Sequence, residues 1–210
     1  VVLTNVLDDF DHVSFCHQLG SFVPHINGAT IWDIRLEPEK KNNQYYSGSN
    51  RTFAPHTECF DFPGLPPRYL ALWCVHPADG EGGETTLADT FPWIDRLPMS
   101  ERQRLETVEF DWENPHGPGL GISSRHPLLE KINGDTIVRF SCNNLICSND
   151  DPVIELLHQW RKLFDEQHVA VSYKCNDMLV FDNWRMLHGR SGFTDLRRHL
   201  RRLQIDAVTS

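Results

Sequence analysis

The sequence predicts a mainly β protein, a jelly roll with flanking helices, and three observations predict it. Short runs rich in β-branched and aromatic residues recur along the chain, separated by glycine and proline turns. One strongly amphipathic helix stands late, at 152–167, in place of the regular strand–helix alternation of a parallel α/β sheet. The length of 210 residues fits one domain that buries its own core. The jelly-roll core is expected over about 56–206, with helical or lid additions over 1–55.

Taken in order, residues 7–22 place Leu7, Phe10, Val13, Phe15, Leu19 and Phe22 nearer the helical period than strict alternation, which predicts an amphipathic helix outside the core. Residues 31–36 read as a strand. Residues 37–55 are polar, with Lys40-Lys41-Asn42-Asn43 and Gly48-Ser49-Asn50 as turn material, so they read as a long loop running into His56. Residues 68–76 are an apolar strand, Gly80-Glu81-Gly82-Gly83 a tight turn, and 84–87 the next strand. Residues 89–97 read as a turn or two of helix, Ser100 as the cap of another short helix, and 107–112 as a strand. Residues 114–124 hold two prolines and three glycines and form a second long loop. Residues 127–132 and 135–140 flank Asn133-Gly134, a hairpin signal because both residues tolerate positive φ. The helix at 152–167 carries Val153, Leu156, Leu157, Trp160 and Phe164 on one face. Strands at 169–173, 178–181 and 198–206 complete the chain.

The net charge of −9 argues against nucleic acid or an anionic membrane surface as partner, since both attract positive charge. A small-molecule substrate is the expected partner; composition leaves the oligomeric state open. No stretch approaches the roughly twenty apolar residues of a membrane span. The opening Val1-Val2-Leu3-Thr4 lacks the basic and apolar blocks of a signal peptide, so a cytoplasmic protein is expected; the chain does not begin with Met, which leaves a preceding segment open. The six cysteines are scattered without a C-x-x-C pair and read as reduced thiols. Cys59, beside Glu58, is the one exposed to oxidation by a neighbouring metal.

His56-Thr57-Glu58 places two potential ligands at i and i+2, on one face of an extended segment. His188, expected just after a strand and before a glycine that lets backbone pass close by, is the best third ligand. Two imidazoles and a carboxylate match the facial triad of Fe(II) oxygenases, although H-x-E alone occurs often by chance. In the run Arg197-Arg198-His199-Leu200-Arg201-Arg202, a strand would put Arg198 and Arg202 on one face. Guanidinium groups directed into a barrel would need an anion, and a dicarboxylate would serve. On charge alone a solvated basic face is the simpler account.

The order and company of these pieces carry more. His56-Thr57-Glu58, then Gly82-Gly83-Glu84-Thr85-Thr86, then Asp182-Asn183-Trp184-Arg185-Met186-Leu187-His188-Gly189-Arg190, then the arginine run, resembles the taurine dioxygenase-like family of 2-oxoglutarate oxygenases over about 53–205. The resemblance implies Fe(II) held by His56, Glu58 and His188, with 2-oxoglutarate and O₂ as co-substrates. It matches Thr85 to the threonine that bonds the 2-oxoglutarate tail, Arg202 to the arginine on that distal carboxylate, and Arg198 to the one near the iron-chelating end. It implies a double-stranded β-helix, in agreement with the jelly roll, and hydroxylation of an unactivated C–H bond with release of succinate and CO₂. Glu58 stands where most members have Asp and resembles the clavaminate synthase-like branch, several of whose members hydroxylate free amino acids. A small amino acid or similar zwitterion is therefore the expected substrate, with a quaternary-ammonium carboxylate next. Asn50, Arg51, Phe53 and the loop at 114–125 are nominated as its contacts, and Trp184 as core packing. The rival readings are a zinc hydrolase on the same ligands and a jelly-roll binding module without catalysis.

Overall fold

The computed structural model describes residues 1–25, 27–36, 48–113 and 123–206. Its elements run β1 (Val2–Leu3), α1 (His12–His17), β2 (Ile31–Arg35), β3 (Phe53–His56), β4 (Tyr69–His76), β5 (Thr85–Asp89), α2 (Phe91–Ile94), α3 (Met99–Thr107), β6 (Glu109–Glu113) and β7 (Ser123–Pro127). They continue with β8 (Leu129–Ile132), β9 (Asp135–Val138), β10 (Leu145–Ile146), α4 (Val153–Gln167), β11 (Val169–Val171), β12 (Met178–Asp182), β13 (Met186–Arg190) and β14 (His199–Ile205).

Two antiparallel sheets, ordered β1-β12-β4-β14-β2 and β11-β5-β13-β3, make the double-stranded β-helix. β4 explains why its sequence reads as an unbroken apolar run: it is buried on both faces. Leu70, Leu72 and Cys74 pack with Leu179, Phe181 and Leu200 of their own sheet and Leu87 of the other. Alternate residues Ala71 and Trp73 turn outward with Met178, Leu203 and Ile205, where Phe10, Phe15, Leu19 and Phe22 cover them. The other sheet is covered by α4, whose buried residues are Val153, Leu156, Leu157, Trp160 and Phe164, the face read from the sequence. Leu187 and Ala88 point into that cluster, and alternation along β13 then turns His188 to the opposite side. Each fully buried side chain of this kind contributes roughly 1.5–3 kcal/mol relative to exposure. The β8–β9 hairpin turns at Asn133 and Gly134, with φ of 48° and 89°.

Several expectations give way. The helix expected over 7–22 is confined to α1, because Asp11 caps it from Oδ1 and burial against the sheet, rather than helical periodicity, places the flanking aromatics. Residues 1–55 are not merely helical or lid additions: β1 and β2 extend the larger sheet, and β3 begins at Phe53. The end of the loop expected over 37–55 is β3, whose Pro55 is tolerated at a sheet edge. Ser100 lies inside α3, whose N-cap is Pro98. His188 lies within β13 rather than after a strand. Part of the second long loop is β7; residues 114–122 and 37–47 fall outside the described residues.

Candidate metal centre

The register of β13 on β3 sets His188 directly opposite His56, and the turn after β3 brings Glu58 back over both. Glu58 Oε2 stands 4.0 Å from His56 Nε2 and 3.8 Å from His188 Nε2. The three donor atoms lie within 4.8 Å of one another, close enough for one ion to bridge. His56 Nδ1 is 2.9 Å from the Ala54 carbonyl, which can only accept, so the proton sits on Nδ1 and Nε2 is left unprotonated toward the centre. Burial pushes both imidazoles below their ordinary range, and in His188 the neighbouring His56 adds to it. Both rings are therefore neutral and able to ligate, and the donor set fits a divalent iron with open positions.

Buried polar groups hold the Glu58 backbone in place. The Glu58 N–H donates to Asn183 Oδ1 at 2.7 Å, while Asn183 Nδ2 donates to the carbonyls of Glu58 (3.1 Å) and Pro67 (2.9 Å). Arg139, fully buried, gathers the following turn by donating to the carbonyls of Cys59, Phe60, Phe62 and Gly64. Its charge is answered by Glu130 at 2.7 Å. Gly189 permits the approach of β3: a Cβ there would lie 2.7 Å from the Phe53 carbonyl and 3.0 Å from Thr86 Oγ1. Burial raises the Cys59 thiol well above its ordinary range and keeps it protonated, which works against the oxidation expected of it.

One pocket joins this centre to a cationic end, and its lining includes Phe53, His56, Thr85, His188, Arg190, Arg198 and Arg202. Ile34, Leu70, Leu72, Phe181 and Leu200 form its apolar wall. Arg198, Leu200 and Arg202 share the inward face of β14 and the residue before it, whereas Arg201 points outward to Asp33. Arg202 Nη1 reaches Glu58 Oε2 at 2.5 Å. Arg198 is 2% exposed and donates from Nε to the Gly83 carbonyl at 2.8 Å, two residues before Thr85. Thr85 Oγ1 accepts from Tyr173 Oη at 2.7 Å. Thr85 is the register partner of Arg190, which is likewise buried. Burial and the charge of Arg198 bring the Arg190 guanidinium down to about 9. Such a concentration of buried positive charge favours an anion.

His56, His188, Thr85, Arg198 and Arg202 thus line one pocket, and Glu58 stands beside it against Arg202 and the two histidines. Arg198 is anchored at Gly83, just ahead of β5 and Thr85, and Arg202 pairs with Glu58. Phe53 lines the pocket with its ring stacked on His56, centroids 4.2 Å apart. The nominated Asn50 and Arg51 do not line it: their carbonyls accept from Phe193 N and Arg190 Nη2, and the Arg51 side chain is exposed. Trp184 donates to the Pro66 carbonyl at 2.9 Å, outside the pocket. Sequence reasoning missed Arg190 and Asn183, although both stand in the quoted His188 segment and Arg190 is at i+2 from the ligand. Arg139 and Tyr173 carried no comparable signal.

Human gamma-butyrobetaine dioxygenase is 24% identical over 189 residues, covering 80% of this chain and 47% of the relative. Tyrosine isonitrile desaturase of Pseudomonas aeruginosa is 24% identical over 218 residues, covering 92% and 71%. The chain spans about half the length of the gamma-butyrobetaine dioxygenase it matches. The crystal structure of asparagine oxygenase with Fe(II), 2S,3S-3-hydroxyasparagine and succinate superposes with a TM-score of 0.73 at 21% identity, over 89% of this chain and 59% of that one, and so shares the fold. With residues 1–204 matching its family description, the chain belongs to the taurine catabolism dioxygenase TauD, TfdA family.

Proposed function

We propose that the protein is an Fe(II)- and 2-oxoglutarate-dependent oxygenase that hydroxylates an unactivated C–H bond of a small zwitterionic substrate, a free amino acid or a close analogue. The observation that carries the reading is a two-histidine, one-carboxylate cluster whose histidines line one pocket with the buried Thr85 and Arg198. Iron, when bound by His56, Glu58 and His188, supplies oxygen activation at the expense of 2-oxoglutarate, which leaves as succinate and CO₂.

The chain's own residues do the placing. Thr85 and Arg198 take the distal carboxylate of 2-oxoglutarate, the roles of the two arginines being exchanged relative to the expectation from the resemblance. Arg202 steadies Glu58 and adds positive charge at the chelating end. The wall of Leu70, Leu72, Phe181 and Leu200 excludes water and strengthens each charged contact inside. Arg190 donates to the carbonyls of Ser49 and Arg51, bracing the segment that leads into Phe53 and His56. The choice of an amino acid is supported by Glu58 in the carboxylate position and by the hydroxyasparagine held in the asparagine oxygenase structure. A quaternary-ammonium carboxylate follows, as the name of gamma-butyrobetaine dioxygenase suggests.

The test is iron content together with substrate-triggered succinate release across a panel of free amino acids and betaines. Bound iron with succinate release for one member, both lost in His188→Ala, is the expected result. Metal without decarboxylation would point to a hydrolase, and neither would point to a binding module; either outcome removes the proposal.

A further inference from the structure

The tail end of the pocket contains one polar contact that the assignment above leaves without a task. Tyr173 lies beyond β11 and is two residues from Val171, the register partner of Thr85, so alternation points its ring at the same end of the pocket. The ring packs on the cluster between the sheets, and Oη donates to Thr85 Oγ1 at 2.7 Å. Burial pushes the phenol well above its ordinary range, so it remains a proton donor at any working pH. A threonine hydroxyl has one proton and can either donate to a neighbour or to a ligand. By filling an acceptor position on Oγ1, Tyr173 leaves the Thr85 proton to be donated elsewhere, and the open side of Oγ1 is the pocket.

We infer that Tyr173 is a positioning residue that orients the Thr85 hydroxyl as a hydrogen-bond donor to the distal carboxylate of the co-substrate. The inference rests on the 2-oxoglutarate reading of this pocket and adds a residue that never touches the ligand. Without the phenol hydroxyl, Thr85 Oγ1 would have to choose among orientations at the moment of binding, and the cost would fall on 2-oxoglutarate affinity alone. The iron ligands, held by Asn183, Ala54 and the β3–β13 register, do not depend on this contact.

The experiment is calorimetric titration of 2-oxoglutarate into the anaerobic Fe(II)-loaded protein, with iron affinity measured separately, for Tyr173→Phe, Thr85→Ala, the double variant and Arg198→Ala. Tyr173→Phe keeps the ring and its packing, so folding is preserved. We expect it to weaken 2-oxoglutarate by about three- to tenfold, the range of one ordinary hydrogen bond, with iron affinity unchanged. In the Thr85→Ala background the same change should have no further effect, a coupling that a merely structural tyrosine would not produce. Weakened binding in Thr85→Ala and Arg198→Ala with a wild-type Tyr173→Phe would overturn the inference and leave the pocket reading standing. Additive losses in the double variant would overturn it as well. Wild-type affinity in Thr85→Ala and Arg198→Ala together would remove the pocket reading and the inference with it.

Discussion

Arg198→Ala is the substitution on which the assignment of the co-substrate's tail stands or falls. Arg198 is 2% exposed, spends Nε on the Gly83 carbonyl, and forms no ion pair among the described residues, so its outer nitrogens are available in a nearly dry site. Burial lowers its affinity for its own proton, and Glu84, the carboxylate that opposes this, is itself engaged by Ser191. Truncating one partner of a buried, charge-assisted pair costs about 2–5 kcal/mol, or roughly 30-fold to a few thousandfold in 2-oxoglutarate affinity. Arg198→Lys should recover only part of this, since an ammonium keeps the charge but loses the planar fork. The assay is 2-oxoglutarate titration followed by the metal-to-ligand charge-transfer absorption of the anaerobic Fe(II) protein. Arg201→Ala is the control, because its side chain is 43% exposed and faces Asp33 on the outside of the sheet. The ligand-free fold should lose little in Arg198→Ala, because a buried charge without a counter-ion is removed along with its contacts. Wild-type binding in Arg198→Ala beside a large loss in Arg202→Ala would refute the reasoning and restore Arg202 to the distal carboxylate.

Three further outcomes follow from the geometry. Gly189→Ala adds a Cβ 2.7 Å from the Phe53 carbonyl, so β3 must move away from β13, and iron titration should show weakened binding while β12 and β14 are untouched; unchanged affinity would mean the edge strand yields without moving His56. Asn183→Ala strips three hydrogen bonds from a fully buried site and should cost about 1–3 kcal/mol or more in denaturant unfolding, with iron affinity falling in parallel because Glu58 loses its anchor. His25 is held down to about 4, from 6.5, by burial first and then by Arg202. The unfolded chain therefore binds the extra proton between these values, so His25's contribution to stability is complete above 6.5 and is lost as pH falls toward about 4, by at most about 3 kcal/mol. Metal-free unfolding curves from neutral pH down to about 4 should be flatter in His25→Asn; equal slopes would show that His25 is not the group responsible.

What the sequence determined by itself is whatever depends on neighbours in the chain. The amphipathic face of α4 was legible because a 3.6-residue period needs nothing outside the helix, and the Asn133-Gly134 turn because positive φ is a property of those two residues. The cluster of His56, Glu58 and His188 was legible because the first two are two residues apart and the third stands in a distinctive segment. Alternation also put Arg198 and Arg202 on one face of β14 and Arg201 on the other. Where each arginine stands in the pocket was decided only by the tertiary structure. It depends on how β14 runs past β4, through the register shift between His199 and Leu200, and on where β5 carries Thr85 opposite Arg190. Arg139 and Tyr173 were silent for the same reason, since the carbonyls that Arg139 gathers and the Thr85 hydroxyl that Tyr173 bonds lie 75 to 88 residues away in the chain. β1 and β3 were hidden too: a two-residue strand is too short to show a period, and the polar run with turn residues that leads into β3 reads as loop, while an edge strand tolerates its proline. Local periodicity fixes which way a side chain points, and only the pairing of distant strands fixes what it meets there.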